Sequence, residues 1–401
     1  MTSGANIQAI LEQSVEDRKV LYIETSHKIH ENPEIGNEEF FASDLHCKNL
    51  TAAGFTVEKG VAGHETAFYA VKDSGKDGAT VAYLAEYDAL PGLGHACGHN
   101  IIGTSSVAAA IALGEVIEET GGRVVVLGTP AEEGGPNGSA KGSFADQGFL
   151  EDVDVALMLH PGGKTGLTPE SLAVDPLDFK FYGKPAHASG APHLGVNALD
   201  AVIQLFNGIN ALRQQLESDV RIHGIITDGG DAPNIIPEYA AARFYIRADT
   251  WKKTEETAEK VRAIAKGAAY ATGAKVVIER FQNVVKDLVP TPSLDDVLAE
   301  ELEAVGETVI RKRRPGKGST DAGNISHEVP TAHGHIKIGP DDLAGHTVAF
   351  REAAKSAEGD EGLITGAKAL ARTGYRLLTD EKLLAKIKDD HRRVLEEKKT
   401  R

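Results

Sequence analysis

The chain has 401 residues, 41% hydrophobic and 25% charged, with a formal net charge of −16. That length exceeds one ordinary core and predicts two domains. The acidic balance argues against a nucleic-acid partner, whose phosphates demand a basic surface. No stretch approaches the roughly 18 uninterrupted apolar residues of a membrane span, and the start, M-T-S-G-A-N-I-Q, lacks the basic and apolar regions of a secretion signal. Two cysteines, Cys47 and Cys97, cannot build a disulfide framework. A cytoplasmic protein with no membrane partner is the expectation.

In chain order, residues 6–31 have helical periodicity, with Ile7, Ile10, Leu11, Val15, Val20, Leu21 and Ile23 as apolar positions. Pro33 stops that helix. Asn37 is expected to cap the next one, with Glu38 and Glu39 in its first turn. That helix ends near Gly54 and carries Cys47, read as packing because nothing nearby would activate or metallate it. Strand-like runs follow at 55–59, 66–71 and 79–85. The third leads into Glu86–Asn100, E-Y-D-A-L-P-G-L-G-H-A-C-G-H-N, and then a small-residue helix over 101–119. Residues 123–129 read as a buried strand ending in Pro130-Ala131-Glu132-Glu133-Gly134-Gly135, and 154–160 as another ending on His160. Three successive strand ends therefore deliver residue types that hold transition metals. In open α/β sheets that edge is where ligands bind.

The texture changes near Ser171. Strands at 172–183, 222–227, 240–248 and 275–281, with helices at 196–216 and 254–271, give a β-α-β-β-α-β order typical of a ferredoxin-like domain. The fold class expected is α/β: a mixed-sheet catalytic domain over 1–171 and 286–401, interrupted by an α+β domain over 172–285. Beyond 291 come helices, a Gly-rich segment at 316–323 and two long helices at 347–378 and 381–399. The basic run Arg311-Lys312-Arg313-Arg314 reads as a solvated loop.

Cys97 sits among glycines and histidines, where a core thiol would be unusual, and His99, two residues on, can turn toward the same metal. His95 fits ligation and a supporting role equally well. Asp88 suits orienting a ligand histidine or capping the loop. The adjacent Glu132 and Glu133 suit a division of labour between general base and metal ligand. His160 and His346, each taken alone, fit a core histidine as well as a ligand. His187, in G-K-P-A-H-A-S, could donate to a tetrahedral oxyanion or be a solvated turn residue. Asn234, between two prolines, fits a turn residue, and Arg247, at a strand end, fits either a structural role or a carboxylate partner, which its donors would bind bidentately. Ser319 and Thr320 add hydroxyls that suit a carboxylate pocket.

Taken in order, H-A-C-G-H-N, T-P-A-E-E-G-G, L-H-P, G-K-P-A-H-A-S and G-H-T resemble the dinuclear-metal aminoacylase and carboxypeptidase superfamily of metallopeptidases. Its amidohydrolase branch, which includes hippurate and auxin-conjugate hydrolases, is the most similar. Within it, E-Y-D-A-L-P-G-L-G-H-A-C-G-H-N and G-S-T-D-A-G-N-I-S-H-E-V-P look closest to p-aminobenzoyl-glutamate hydrolase and the Xaa-Arg dipeptidase group. The resemblance covers nearly the whole chain. It implies a dinuclear zinc-peptidase-like catalytic domain with an inserted lid and dimerisation domain. It implies Cys97, His99, Glu133, His160 and His346 as ligands of two divalent ions per subunit (zinc or manganese, with cobalt as a third choice). Glu132 is then the general base toward a metal-bridged hydroxide, and His187 reaches the active site of the partner subunit of a homodimer. Asn234, Arg247, Ser319 and Thr320 grip substrate, and Asp88 and Asn100 support the ligands. Asn100 departs from the aspartate of one common form of the branch. The activity implied is hydrolysis of the amide bond of an N-acyl amino acid, a dipeptide or a p-aminobenzoyl-glutamate-like conjugate. The alternatives are a non-catalytic metal-dependent binding protein, which would have no need of Glu132, and a different metal enzyme, such as a mononuclear lyase or deaminase.

Overall fold

The computed structural model describes residues 4–313 and 318–400, with side chains from residue 6. Arg314 and the start of the Gly-rich segment, 316–317, lie outside the described residues. The chain forms two compact units, Met1–Glu170 with Leu288–Arg401, and Ser171–Asp287. Ser171, Lys286 and Asp287 thus belong to the inserted unit.

The first unit begins with α1 (Gly4–Asp17) and α2 (Lys19–Glu31), where one helix was expected. The break at Arg18 rephases the chain. Tyr22, Thr25, Ser26 and Ile29 turn inward, and Val20 is left 70% exposed, with Leu21 and Ile10 also at the surface. Asn37 does not cap α3 (Phe40–Ala52). It sits at φ 66°, and the carboxylate of Glu34 instead accepts the N–H groups of Phe41 and Ala42 at 2.9 and 3.0 Å. Glu39 is the residue preceding α3, outside its first turn. Cys47 is buried in the core.

Strands β1 (Thr56–Lys59), β2 (Phe68–Asp73) and β3 (Thr80–Ala85) lead to α4 (His99–Glu115) and the short α5 (Ile117–Thr120). Then come β4 (Arg123–Gly128), α6 (Ala140–Asp146) and β5 (Val155–Gly162). In the inserted unit, β6 (Ala173–Tyr182), α7 (Ala198–Leu212), β7 (Arg221–Asp228), β8 (Tyr239–Ala248), α8 (Trp251–Thr272) and β9 (Lys275–Arg280) follow one another. Back in the first unit are α9 (Pro292–Ala304), α10 (Ala322–Glu328), β10 (Thr331–Lys337), α11 (Val348–Ala353), α12 (Ala357–Thr379) and α13 (Glu381–Thr400). The expected helix over 347–378 is broken, and Ser356 caps its second half by accepting the Gly359 N–H at 3.1 Å.

The six strands of the first sheet run β1-β2-β4-β3-β5-β10, with β4, β3, β5 and β10 parallel and the β1 edge antiparallel. Strands with both faces covered read as continuous apolar runs, and β3 is buried throughout. Its Val81, Tyr83 and Ala85 face one core with α4 and α12, and Ala82 and Leu84 face the other. Small residues let α4 lie close to the sheet: a Cβ on Gly103 would fall 2.5 Å from the Glu86 carbonyl. β4, β3 and β5 are neighbours, so their C-terminal ends stand side by side, about 4.8 Å apart.

The inserted unit has its own antiparallel sheet, β7-β8-β6-β9. Leu177, Phe179, Phe181 and Phe244 pack beneath α7 and α8. β7 is an edge strand, with Ile225 and Ile226 exposed. No described helix is long and apolar enough to cross a membrane. The basic run differs from expectation: Arg313 pairs with buried Asp295 at 2.7 Å and Arg311 with Glu303 at 2.8 Å.

Candidate functional site

The three parallel strand ends build the site, which lies within the first unit. After β3 the chain stays buried through Glu86, Tyr87 and Asp88. It then turns through a loop to Cys97 and to Gly98, whose left-handed backbone (φ 74°) starts α4 at His99. His99 is therefore a buried residue of the first helical turn. Its Nδ1–H donates to Asp88 Oδ1 at 2.8 Å, and the other oxygen of Asp88 accepts the Glu133 N–H at 3.0 Å. One aspartate thus ties the β3 and β4 ends together and leaves His99 Nε2 free as a donor atom.

That nitrogen faces three carboxylates: Glu86 at 3.4 Å, and Glu132 and Glu133 at 3.8 Å. His160 lies inside β5 and donates its Nδ1–H to the Pro161 carbonyl at 2.8 Å, which turns its Nε2 toward Cys97 Sγ at 3.4 Å. His346 has a left-handed backbone (φ 59°), and its N–H donates to the Ala96 carbonyl at 2.9 Å. Its Nε2 lies 3.5 Å from Glu133 Oε1, with the side chain 57% exposed.

Two groups of ligand atoms, Cys97/His99/His160 and Cys97/Glu133/His346, each lie within 4.8 Å of one another and share the cysteine sulfur. A third combines Glu86, His99 and Glu132. The donor set fits divalent ions on physical grounds. His99 Nε2 and Glu133 Oε1 are buried with no hydrogen-bond partner among the described residues. Burial pushes the Cys97 thiol up, so only a strong local positive charge would release its proton. Glu132 is raised well above the ordinary carboxylate range, by burial and then by the charges of Glu86, Glu133 and Asp321. Burial opposes charge on His99, but Asp88 and Cys97 overcome it and raise its pKa. His160 is lowered, chiefly by burial.

Asn100 turns away from this cluster and donates to Ser26 Oγ and the Ala354 carbonyl, both at 2.9 Å. His95 is buried and stacks with His30 at 6.0 Å between ring centres. Thr320 precedes α10, and its hydroxyl accepts the Ala322 N–H at 3.3 Å; Ser319 is its neighbour. In the inserted unit, His187 bridges Ile235, and the Ala188 N–H donates to the Asn234 carbonyl at 3.0 Å. His187 is exposed, and its Nδ1 accepts the Gly190 N–H at 3.1 Å, which leaves Nε2 to carry a proton. Arg247, on β8, donates to His223 Nε2 at 3.2 Å.

Sequence reasoning passed over a second layer. Lys141 is 0% exposed, and its ammonium lies 2.7 Å from both Glu86 Oε1 and Asp321 Oδ1. Burial works against ionised Glu86, yet Lys141 and then His99 hold its pKa down to about 2. Burial raises Asp321 to about 6. His333, also overlooked, is a buried residue of β10 whose ring centre lies 5.7 Å from that of His160. The signal for Lys141 is a lone lysine among small residues, S-A-K-G-S, directly after the Glu132-Glu133 turn.

A mixed sheet with thiolate, imidazole and carboxylate donors at parallel strand ends defines a metallohydrolase scaffold. Residues 82–375 match the family model described as Peptidase family M20/M25/M40, and the chain belongs to that family. It is a metal-dependent amide-bond hydrolase. It is 38% identical over 324 residues to a Mus musculus Xaa-Arg dipeptidase, covering 79% of this chain and 74% of the relative. It is 28% identical to one of the p-aminobenzoyl-glutamate hydrolase subunits of Escherichia coli, covering 97% of this chain and 95% of that one. Among solved structures, an aminobenzoyl-glutamate utilization protein from Klebsiella pneumoniae superposes with a TM-score of 0.74 at 19% identity, covering 92% of this chain and 99% of that one. A dinuclear metal-binding M20 peptidase from Bacillus subtilis has a TM-score of 0.65 at 19% identity, over 90% and 99% of the two chains.

Proposed function

We propose that the protein hydrolyses the amide bond of a dipeptide, an N-acyl amino acid or a p-aminobenzoyl-glutamate-like conjugate, with two divalent ions held by Cys97, His99, Glu133, His160 and His346. The observation that carries this reading is the pair of ligand groups sharing Cys97 Sγ. Zinc suits thiolate and imidazole, and manganese or cobalt suit the carboxylate-rich side. When bound, the ions supply positive charge that acidifies water and polarises the substrate carbonyl.

Glu132 is the general base. It takes a proton from the attacking water and passes it to the leaving amine nitrogen. Asp88 holds His99 in the tautomer that presents Nε2. His187 donates its Nε2–H to the developing oxyanion from the partner subunit, and Asn234 and Arg247 grip the substrate; these roles rest on the motif resemblance. Ser319 and Thr320 add the hydroxyl donors that complete a carboxylate pocket. The inserted unit acts as a ferredoxin-like lid and dimerises the protein. The exposed β7 edge is a ready pairing surface. A reducing cytoplasm suits Cys97, because oxidation would destroy a thiolate ligand.

The test is one panel of Xaa-Arg dipeptides, N-acyl amino acids and p-aminobenzoyl-glutamate, assayed with zinc, manganese and cobalt, alongside metal stoichiometry. Turnover with two ions per subunit is expected. No turnover by metal-loaded protein across the panel would revive the binding-protein alternative.

A further inference from the structure

The turn that carries Glu132 and Glu133 has an unusual start. Ala131 is fully buried at φ 58°, a conformation that a residue with a Cβ adopts only when its surroundings hold it there. Three contacts do so. Its N–H donates to Glu39 Oε1 at 2.8 Å. Its carbonyl accepts the N–H groups of Ser139 at 2.7 Å and Gly134 at 3.3 Å. On its other side lies Gly36, where a Cβ would stand 2.8 Å from Ala131 Cβ and 3.0 Å from its Cα. Gly36 is not in the left-handed region, so close approach and not backbone freedom requires glycine there.

Glu39 is itself fixed. It is fully buried, and its second oxygen accepts the Thr66 hydroxyl at 2.8 Å. The Thr66 carbonyl in turn accepts the Tyr87 hydroxyl at 2.7 Å, and Tyr87 stands between Glu86 and Asp88. A carboxylate that spends its two oxygens on hydrogen bonds to one turn and one strand end registers the two against each other.

We propose that Glu39 and Gly36 are positioning residues: they clamp Ala131 in its left-handed conformation so that the two glutamates that follow it enter the metal site. The proposal rests on the reading of Glu132 as base and Glu133 as ligand, and it reaches residues more than ninety positions earlier in the chain. A displacement of about 1 Å at a catalytic group lowers turnover by about 100-fold.

Gly36→Ala should lower kcat by about that factor with KM little changed, and should weaken and alter the cobalt(II) absorption spectrum on titration of the apoprotein. Ala131→Gly, made in the Gly36→Ala background, removes the 2.8 Å contact and leaves the 3.0 Å approach to the Cα, so it should recover part of both losses. A general loss of packing would not be cured by removing a second methyl. Glu39→Gln keeps the reach to the Ala131 N–H and should stay near parent activity and cobalt binding. Glu39→Asp keeps the charge but is one methylene short, and should be impaired. The Glu39 pair decides the matter if Gly36→Ala does not fold. Parent kcat and cobalt spectrum in Gly36→Ala, no recovery with Ala131→Gly, or Asp outperforming Gln would each overturn the clamp. Glu132→Gln, measured in parallel, separates the two readings. If that variant is fully active while the Gly36→Ala pattern holds, the base assignment falls and the clamp stands.

Discussion

Lys141 offers a quantitative test of the layer beneath the site. Its ammonium is fully buried and lies 2.7 Å from each of two buried carboxylates, those of Glu86 and Asp321. Lys141→Met keeps most of the side-chain volume and removes the charge. Glu86 and Asp321 are then left facing each other with Glu132 nearby and no cation between them. Removing one partner of a buried pair costs about 3–5 kcal/mol, which corresponds to a Tm loss of roughly 5–8 °C for a unit of this size. The sign with pH follows from the two carboxyls. Glu86, held down to about 2, contributes stability that is present above its ordinary pKa and lost as pH falls through about 2. Asp321, raised to about 6, loses stability as pH rises from its ordinary pKa through 6. Without Lys141 both move up, so the variant's deficit should be largest near pH 8 and shrink toward pH 5, where protonation relieves the repulsion. Thermal unfolding at pH 5, 6.5 and 8 measures this. Adding Asp321→Asn should restore part of the loss at pH 8. A Tm within about 2 °C of the parent at pH 8, or a deficit that grows on acidification, would refute the reasoning.

Further outcomes follow from the same geometry. Glu132→Gln should reduce kcat by about 100-fold or more while bound metal, measured by elemental analysis, stays at parent level. Asp88→Asn removes the acceptor that fixes His99 and the Glu133 N–H and should weaken metal binding by about 10–100-fold in a competition titration with a chelating dye. Exhaustive chelation should abolish hydrolysis and lower Tm, with both restored by added zinc or manganese. Gly103→Ala would place a Cβ 2.5 Å from the Glu86 carbonyl and 2.7 Å from His46 Nε2. It should destabilise the protein by about 1–3 kcal/mol in urea titration.

What could be read from the chain in advance depended on how local each signal is. Cys97 and His99 stood out because two donors with glycine beside them need only a loop to converge. Glu132-Glu133 stood out because an apolar strand ended directly on them. Lys141 did not, because its burial is decided by Asp321, 180 residues later. Glu39 looked like a first-turn acid of a helix, and only the folded turn at Ala131 shows what its carboxylate binds. The β10 strand was missed because His333, Gly334 and His335 interrupt its apolar pattern, and pairing with β5 supplies what local propensity lacks. The phase of α2 was lost for a similar reason. Nothing local announces the break at Arg18, whose side chain bonds Ser14.

The same non-locality bears on how the site forms. Its proposed ligands come from the β3–α4 loop and the first turn of α4, the β4 end, β5 and the loop before α11, so no two neighbouring segments can assemble it alone. The parallel order β4-β3-β5 must exist first, and parallel pairing of distant strands closes long loops before it is rewarded. An unfolded chain therefore has little beyond the Cys97–His99 pair to offer an ion, whereas the folded sheet presents the whole set. Binding free energy gained only after the sheet has formed stabilises the native state and not its competitors. The buried excess of carboxylate at Glu86, Glu132 and Glu133 around one imidazole nitrogen makes that coupling strong. Lys141 already offsets the charge of Glu86, and divalent charge at the proposed site would offset Glu132 and Glu133, so bound ions would stabilise this unit as well as supply its chemistry.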